Sequence, residues 1–204
     1  TYTAGTFAQG SGYWQGVGLL LDGDGADQYD AYYYVQGGAA HYAAGVLLDD
    51  GEGDDRFNTN MTPNYMMVGA GHDFSVGILV NEAGAETYVY GGLAGGASNC
   101  QGIGLFVEND GADTYEISST YSTGLGNHSG ECDSLPRTLA PSIGLFLDSG
   151  GDQDSYTWPD GDHPAPDNDS SFGYSQNGGE NEHGGAVDGE GETGVHAAGE
   201  LPGA

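Results

Sequence analysis

The sequence predicts an all-β protein: a parallel β-solenoid, or β-helix, with coils of about 27 residues, followed by an acidic, irregular C-terminal segment. Three observations point there. A glycine-led apolar motif recurs as GLLLD, GVLLD, GILVN, GLFVE and GLFLD, with its glycine at Gly18, Gly45, Gly77, Gly104 and Gly144, at intervals of 27, 32, 27 and 40 residues. An aromatic follows each motif at Tyr29, Phe57, Tyr88, Tyr115 and Tyr156, with an acid two positions earlier at Asp27, Asp55, Glu86, Asp113 and Asp154. Glycine supplies 40 of the 204 residues without a three-residue period, which excludes collagen and weakens any helix, since an interior glycine costs a helix about 1 kcal/mol.

Each unit then reads as an apolar strand, an acidic glycine loop, an acid, any residue, an aromatic, and a Gly-rich return. In the strand, Leu19, Leu21, Val46, Leu48, Ile78, Val80, Leu105, Val107, Leu145 and Leu147 alternate, so they are expected to stack as the inward aliphatic ladder. The loops read LDGDGADQY, LDDGEGDDRF, VNEAGAETY, VENDGADTY and LDSGGDQDSY; the second and fifth hold one extra residue, so a bulge is tolerated. Gln9-Gly10 and Gln36-Gly37 match each other in the return. The sequence opens at Thr1 without a methionine or signal peptide and is read as processed or incomplete; Thr1-Tyr2 matches Thr87-Tyr88 inside the unit, so either earlier coils are missing or a half-coil is left as an open edge. The expected organisation is a solenoid over 1–158, with an insertion near 128–142, and an acidic segment over 159–204. That segment has too few aliphatics for a core of its own. It is expected to dock on the solenoid or on a neighbouring subunit, anchored by Phe172 and Tyr174.

Composition excludes several functions. Against 31 acids stand two basic residues, Arg56 and Arg137, and no lysine, giving a net charge of -29. Such a chain repels nucleic acid and anionic membrane surfaces, and lysine-based catalysis is impossible. No apolar run approaches the roughly 18 residues of a membrane span, so direct membrane insertion is not expected. Cys100 and Cys132 can form one disulfide, which fits an extracellular, cell-surface or periplasmic setting.

Stacked coils place equivalent residues about 4.8 Å apart. A row of Asp27, Asp55, Glu86, Asp113 and Asp154, flanked by Asp22, Asp24, Asp49, Asp50, Glu108, Asp110, Asp148 and Asp152, therefore needs neutralising. With no lysine to do it, calcium is the expected partner, because it takes six to eight oxygen ligands from carboxylates and turn carbonyls. The bland alternatives are turn-capping acids that face water and adaptation to high salt. A second candidate is a row of His41, His72, Cys100 and His128, able to hold zinc or copper if the four converge; isolated histidines bonded to turn backbones are the plainer account. His72, Asp73 and Ser75 cannot form a triad by themselves, since neighbours on a strand face opposite ways. No catalytic residue is assigned.

The phrases GADQY, GADTY and GDDRF resemble the repeats of haemolysin-type, RTX-like calcium-binding proteins, whose turns chelate calcium between coils. The resemblance spans roughly residues 16–156 and departs in period, since those repeats return about every nine residues. The chain is also similar to uncharacterised bacterial tandem-repeat proteins of the form QGxG…GVGLLLDxxGxDxY, through YVQGGAAHYAAGVLLD and GAGHDFSVGILV. Neither resemblance implies an enzymatic activity. The favoured reading is a non-catalytic, exported structural or adhesive protein, stiffened by calcium in acidic inter-coil loops and stacking with copies of itself or with other subunits. The alternatives are an enzyme or transition-metal site on the His41/His72 row, and a polysaccharide-binding module using exposed tyrosines.

Overall fold

The computed structural model describes residues 1–62, 65–127, 140–150, 153–159, 171–174 and 182–189. These are all-β, with no helix among them, and the strands pair in parallel with one exception.

Each recurring motif contributes one strand to the same sheet. Val17–Asp22, Ala44–Asp49, Val76–Asn81, Ile103–Glu108 and Ser142–Ser149 lie side by side in an aliphatic sheet, with Gly18 opposite Gly45, then Gly77, Gly104 and Gly144. A second, aromatic sheet holds Tyr2–Thr3, Gln28–Asp30, Arg56–Phe57, Thr87–Tyr90, Thr114–Ile117 and Ser155–Thr157. Its register aligns Tyr2, Tyr29, Phe57, Tyr88, Tyr115 and Tyr156. Parallel in-register pairing brings like onto like, so these six rings stack in one column, with centroids 4.9, 4.7, 4.7, 5.3 and 4.7 Å apart and planes within 16° of parallel. A third sheet, formed by the returns, runs through Gly12–Tyr13, Ala39–Ala40, Gly71–His72, Ser98–Asn99 and Gly126–Asn127. The matched glutamines work alike: Gln9 donates to the Tyr2 carbonyl at 2.9 Å, and Gln36 to that of Tyr29 at 3.1 Å.

The inward face of the aliphatic sheet is the opposite of the expected one. Leu47, Leu79, Phe106 and Phe146 are fully buried against the aromatic column, whereas Leu19 and Leu21 are 62 % exposed and Leu145 39 %. Glycine sets this parity. A Cβ on Gly77 would stand 2.0 Å from the Ala70 carbonyl oxygen, so the start of each strand lies backbone against backbone on the return and admits no side chain. The facing corner is as tight: Gly37 has φ +75°, and a Cβ there would meet the Ile78 oxygen at 1.9 Å. With glycine inward at the first position, the third and fifth positions must also face in. Those are the core residue and the acid.

The acidic C-terminal segment contributes a strand that the sequence reading missed. Glu182–Gly189 pairs in parallel with Ser142–Ser149, aligning Gly184 with Gly144 and Asp188 with Asp148. Ser171–Tyr174, which contains the two expected anchors, then pairs antiparallel with Glu182–Gly189 at the sheet edge. The insertion residues 128–139 lie outside the described residues.

If glycine fixes the parity, Gly77→Ala should destabilise the chain by on the order of 3 kcal/mol in urea unfolding, as overpacking against a fixed backbone does. The outward Val80→Thr should cost about 0.5 kcal/mol or less. Equal costs would refute the assignment of faces.

Candidate functional site

Because the fifth position of each motif faces in, an acid is carried into the interior beside the aromatic column. Asp49, Glu108, Asp148 and Asp188 are each at most 5 % exposed, and Asp22 is half-buried at the sheet edge. The tyrosine hydroxyls meet this first file of acids. Tyr29 lies 2.6 Å from both Asp22 Oδ2 and Asp49 Oδ2. Tyr88 donates to Glu108 Oε2, Tyr115 to Asp148 Oδ2 at 2.5 Å, and Tyr156 reaches Asp188 at 2.8 Å and Asp148 at 3.3 Å. One phenolic proton cannot serve two carboxylates, so each shared phenol calls for a proton or a cation on one of its acids. The variation within the file follows the same rule. Phe57 is the ring without a hydroxyl, and the next position in the acid file is the neutral Asn81, whose Nδ2 donates to Tyr88 at 3.2 Å. Burial first, and then the facing carboxylates, hold Tyr29, Tyr88, Tyr115 and Tyr156 far above the ordinary phenol range.

The acid that precedes each aromatic forms a second file. Asp27 N–H donates to Asp55 Oδ1 at 2.6 Å, Glu86 N–H to Asp113 Oδ1 at 2.8 Å, and Asp113 N–H to Asp154 Oδ1 at 2.6 Å, while the Thr1 ammonium caps Asp27 at 2.7 Å. Glu86 departs from the pattern. It is 1 % exposed, and neither carboxylate oxygen has a hydrogen-bond partner. A glutamate is one methylene longer than the aspartates around it, and its Oε1 lies where a Cβ on Gly84 would be, 2.0 Å from that point.

The two files converge. One carboxylate oxygen each from Glu86, Glu108 and Asp113 lie within 4.8 Å of one another, and the same holds for Asp113, Asp148 and Asp154. Two charges at that separation repel by roughly 3 kcal/mol at an effective dielectric near 20. No lysine exists to offset this, Arg56 is exposed, and Arg137 lies outside the described residues. Desolvation raises Glu86, Glu108 and Asp113 above the usual carboxylate range, and the neighbouring acids add to it. Asp148 is pushed up to about 8 by burial and then by the charge of Asp154. Among the other predicted ligands, Asp55 is buried and Asp27 half-buried, Asp24, Asp50 and Asp110 are exposed on loops, and Asp152 lies outside the described residues. Carboxylate oxygens alone suit a hard cation such as calcium.

Among the described residues the histidines and Cys100 do not group as metal ligands. His72 pairs with Ala40 and Asn99, which places His41 one residue further along, although the two rings approach to 5.4 Å. His41 Nδ1 is held by Asp73 Oδ2 at 2.7 Å, and His72 Nδ1 by Asn99 Oδ1. Cys100 is disulfide-bonded and offers no thiolate; Cys132 and His128 lie outside the described residues. Ser75 Oγ accepts the Ala43 N–H at 3.0 Å and donates to the Asp73 carbonyl at 3.3 Å, away from any His–Asp pairing of its own. The acid of the inward file missed from sequence is Asp188. Its signal was the spacing Gly184 to Asp188, equal to Gly144 to Asp148, hidden by the weakly apolar Gly185-Ala186-Val187 between them.

A carboxyl whose pKa is raised on folding binds its proton more tightly in the native state. Its stabilising contribution is full below the ordinary carboxylate pKa, near 4, and is lost as pH rises through the folded value, about 8 for Asp148. The metal-free protein should therefore melt at a higher temperature near pH 5 than near pH 9, and Asp148→Asn should flatten that slope. A melting temperature that rises over this interval would contradict it. Compared with known proteins, the chain matches no family model, no curated protein and no solved structure.

Proposed function

We propose that the chain is a parallel β-solenoid that serves outside the cell as a non-catalytic structural or adhesive module, stiffened by calcium in its acid files and associating with copies of itself. Successive motifs pair in parallel and in register within three sheets, which supports one coil per motif. The Cys100 disulfide supports an oxidising compartment. Among the described residues Glu86, Glu108 and Asp113 form no salt bridge, which supports calcium.

The observation that carries self-association is the outward face of the aliphatic sheet. Five strands each present three apolar side chains there, from Val17, Leu19 and Leu21 through Val46, Ile78 and Leu105 to Leu145. Val17 is 82 % exposed, and Ile103 and Leu145 39 %. At the usual strand and residue spacings this is an uncharged patch on the order of 300 Å², within the range of the largest apolar patch on a typical monomer. Its uniformity allows a twofold axis to lay one copy on another. Two chains of charge -29 repel, so neutralising the acids with calcium should favour the contact.

Sedimentation velocity should show concentration-dependent dimers or larger species in calcium and monomers after chelation. Ile78→Ser combined with Leu105→Ser, both outward, should abolish association while shifting the melting temperature by only a few degrees. A strict monomer at high concentration in calcium would overturn the assembly reading. A second reading, polysaccharide binding, is favoured by exposed Trp14 and by Tyr42 stacked on Phe74. It predicts affinity for polysaccharide that survives chelation.

A further inference from the structure

We propose that Glu86, Glu108 and Asp113 together hold one calcium ion, a site that rests on the reading of the acid files as cation-binding and gives that reading its ligands. Four features of the structure lead to it.

The first is convergence. An oxygen from each side chain lies within 4.8 Å of the other two, the span between two ligands on opposite sides of an ion at about 2.4 Å, a normal calcium–oxygen distance.

The second is Glu86 itself. All other members of its file are aspartates, and Asp27, Asp113 and Asp154 are tied by their carboxylates to a neighbour's N–H group or ammonium. Glu86 is nine-tenths buried and more, neither of its oxygens has a hydrogen-bond partner, and one of them lies at the cluster. An unpaired buried carboxylate is among the costliest groups a core can hold, and it persists where something else neutralises it. Gly84 leaves open the space that the carboxylate fills.

The third is the fixing of the other two ligands. Tyr88 donates to Glu108 Oε2, and the Asn109 N–H reaches Glu108 Oε1 at 3.2 Å; Asp113 Oδ1 accepts the Glu86 N–H, and Asp113 Oδ2 meets the Tyr115 hydroxyl at 3.5 Å. Such supporting bonds orient ligands without removing their remaining lone pairs. The fourth is Asn81, opposite Glu108 in register, whose buried Oδ1 has no hydrogen-bond partner and offers a neutral oxygen in the same file.

The donor set is oxygen throughout, which selects a hard cation over zinc or copper. Burial favours calcium over magnesium, since magnesium keeps several of its waters and gives them up reluctantly.

Calorimetric titration of the metal-stripped full chain with calcium chloride tests the site, run beside thermal melting with and without calcium. Wild type should bind and gain thermal stability. Glu86→Gln should weaken the tightest binding at least tenfold and lose the calcium-dependent gain, while its metal-free melting temperature stays equal to or above that of wild type, because a repulsive charge is removed. Glu86→Asp keeps the charge but shortens the reach, so it too should lose binding. Triple substitution of the exposed loop acids, Asp24→Asn with Asp50→Asn and Asp110→Asn, should leave the tightest binding within about twofold. If Glu86→Gln binds as wild type does and the loop variant does not, the assignment of ligands is wrong and calcium binding itself stands. If wild type neither binds calcium nor gains stability from it, the calcium reading fails along with the site.

Discussion

The contact on which the rest depends is the one between the strand glycines and the backbone of the returns. Where the aliphatic strands begin, they lie directly against the corners of the returns: a side chain at Gly45 would meet the Gly38 oxygen at 2.5 Å, and one at Gly104 the Ala97 oxygen at 2.2 Å. Strand geometry converts that into a rule for the remaining positions, because side chains alternate. Leu47, Leu79, Phe106 and Phe146 are thereby committed to the core and the acids after them to the interior, while three aliphatics per strand are left outside. A steric fact at one end of the strand thus decides an electrostatic one at the other.

The interior handles its acids by pairing them with phenols and backbone N–H groups, and the column of stacked rings supplies the phenols in register. This scheme is incomplete on purely protein terms. Each tyrosine has one proton to give, and Tyr29, Tyr115 and Tyr156 each meet two carboxylates. The Phe57 and Asn81 substitutions show the scheme relaxed in both members at once: where the ring has no proton to donate, the facing group carries no charge. Glu86 shows the opposite, a carboxyl kept in the core with no hydrogen-bond partner among the described residues.

Much of this was legible in the sequence. The recurring glycine gave the register, since Gly18, Gly45, Gly77, Gly104 and Gly144 do stand opposite one another, and the acid–x–aromatic spacing gave the ring column. The faces were not legible from hydrophobicity, because GLLLD is apolar at both parities and only the cost of a Cβ at glycine breaks the tie. The alternating aliphatics, which hydrophobicity alone puts inside, line the outside. The strand in the C-terminal segment was hidden because Ala186 and Val187 stand where leucine and phenylalanine do elsewhere, leaving spacing as the sole sign. The offset between His41 and His72 was invisible, because counting back from glycine ignores the extra residue that separates them in register.

From glycine to the inward acid or amide is four residues in all six strands, from Gly18–Asp22 to Gly184–Asp188, whereas successive glycines are 27 to 40 residues apart. Insertion and deletion therefore have very different meanings along this chain. Between strands, length is nearly neutral, and a dozen residues can be added without disturbing the register. Within the five-residue motif, losing a single residue would turn an acid outward and an aliphatic inward together. Tolerance to length change should alternate along the chain with the same period as the motif, a record of selection that would be readable in the gap pattern of any relatives.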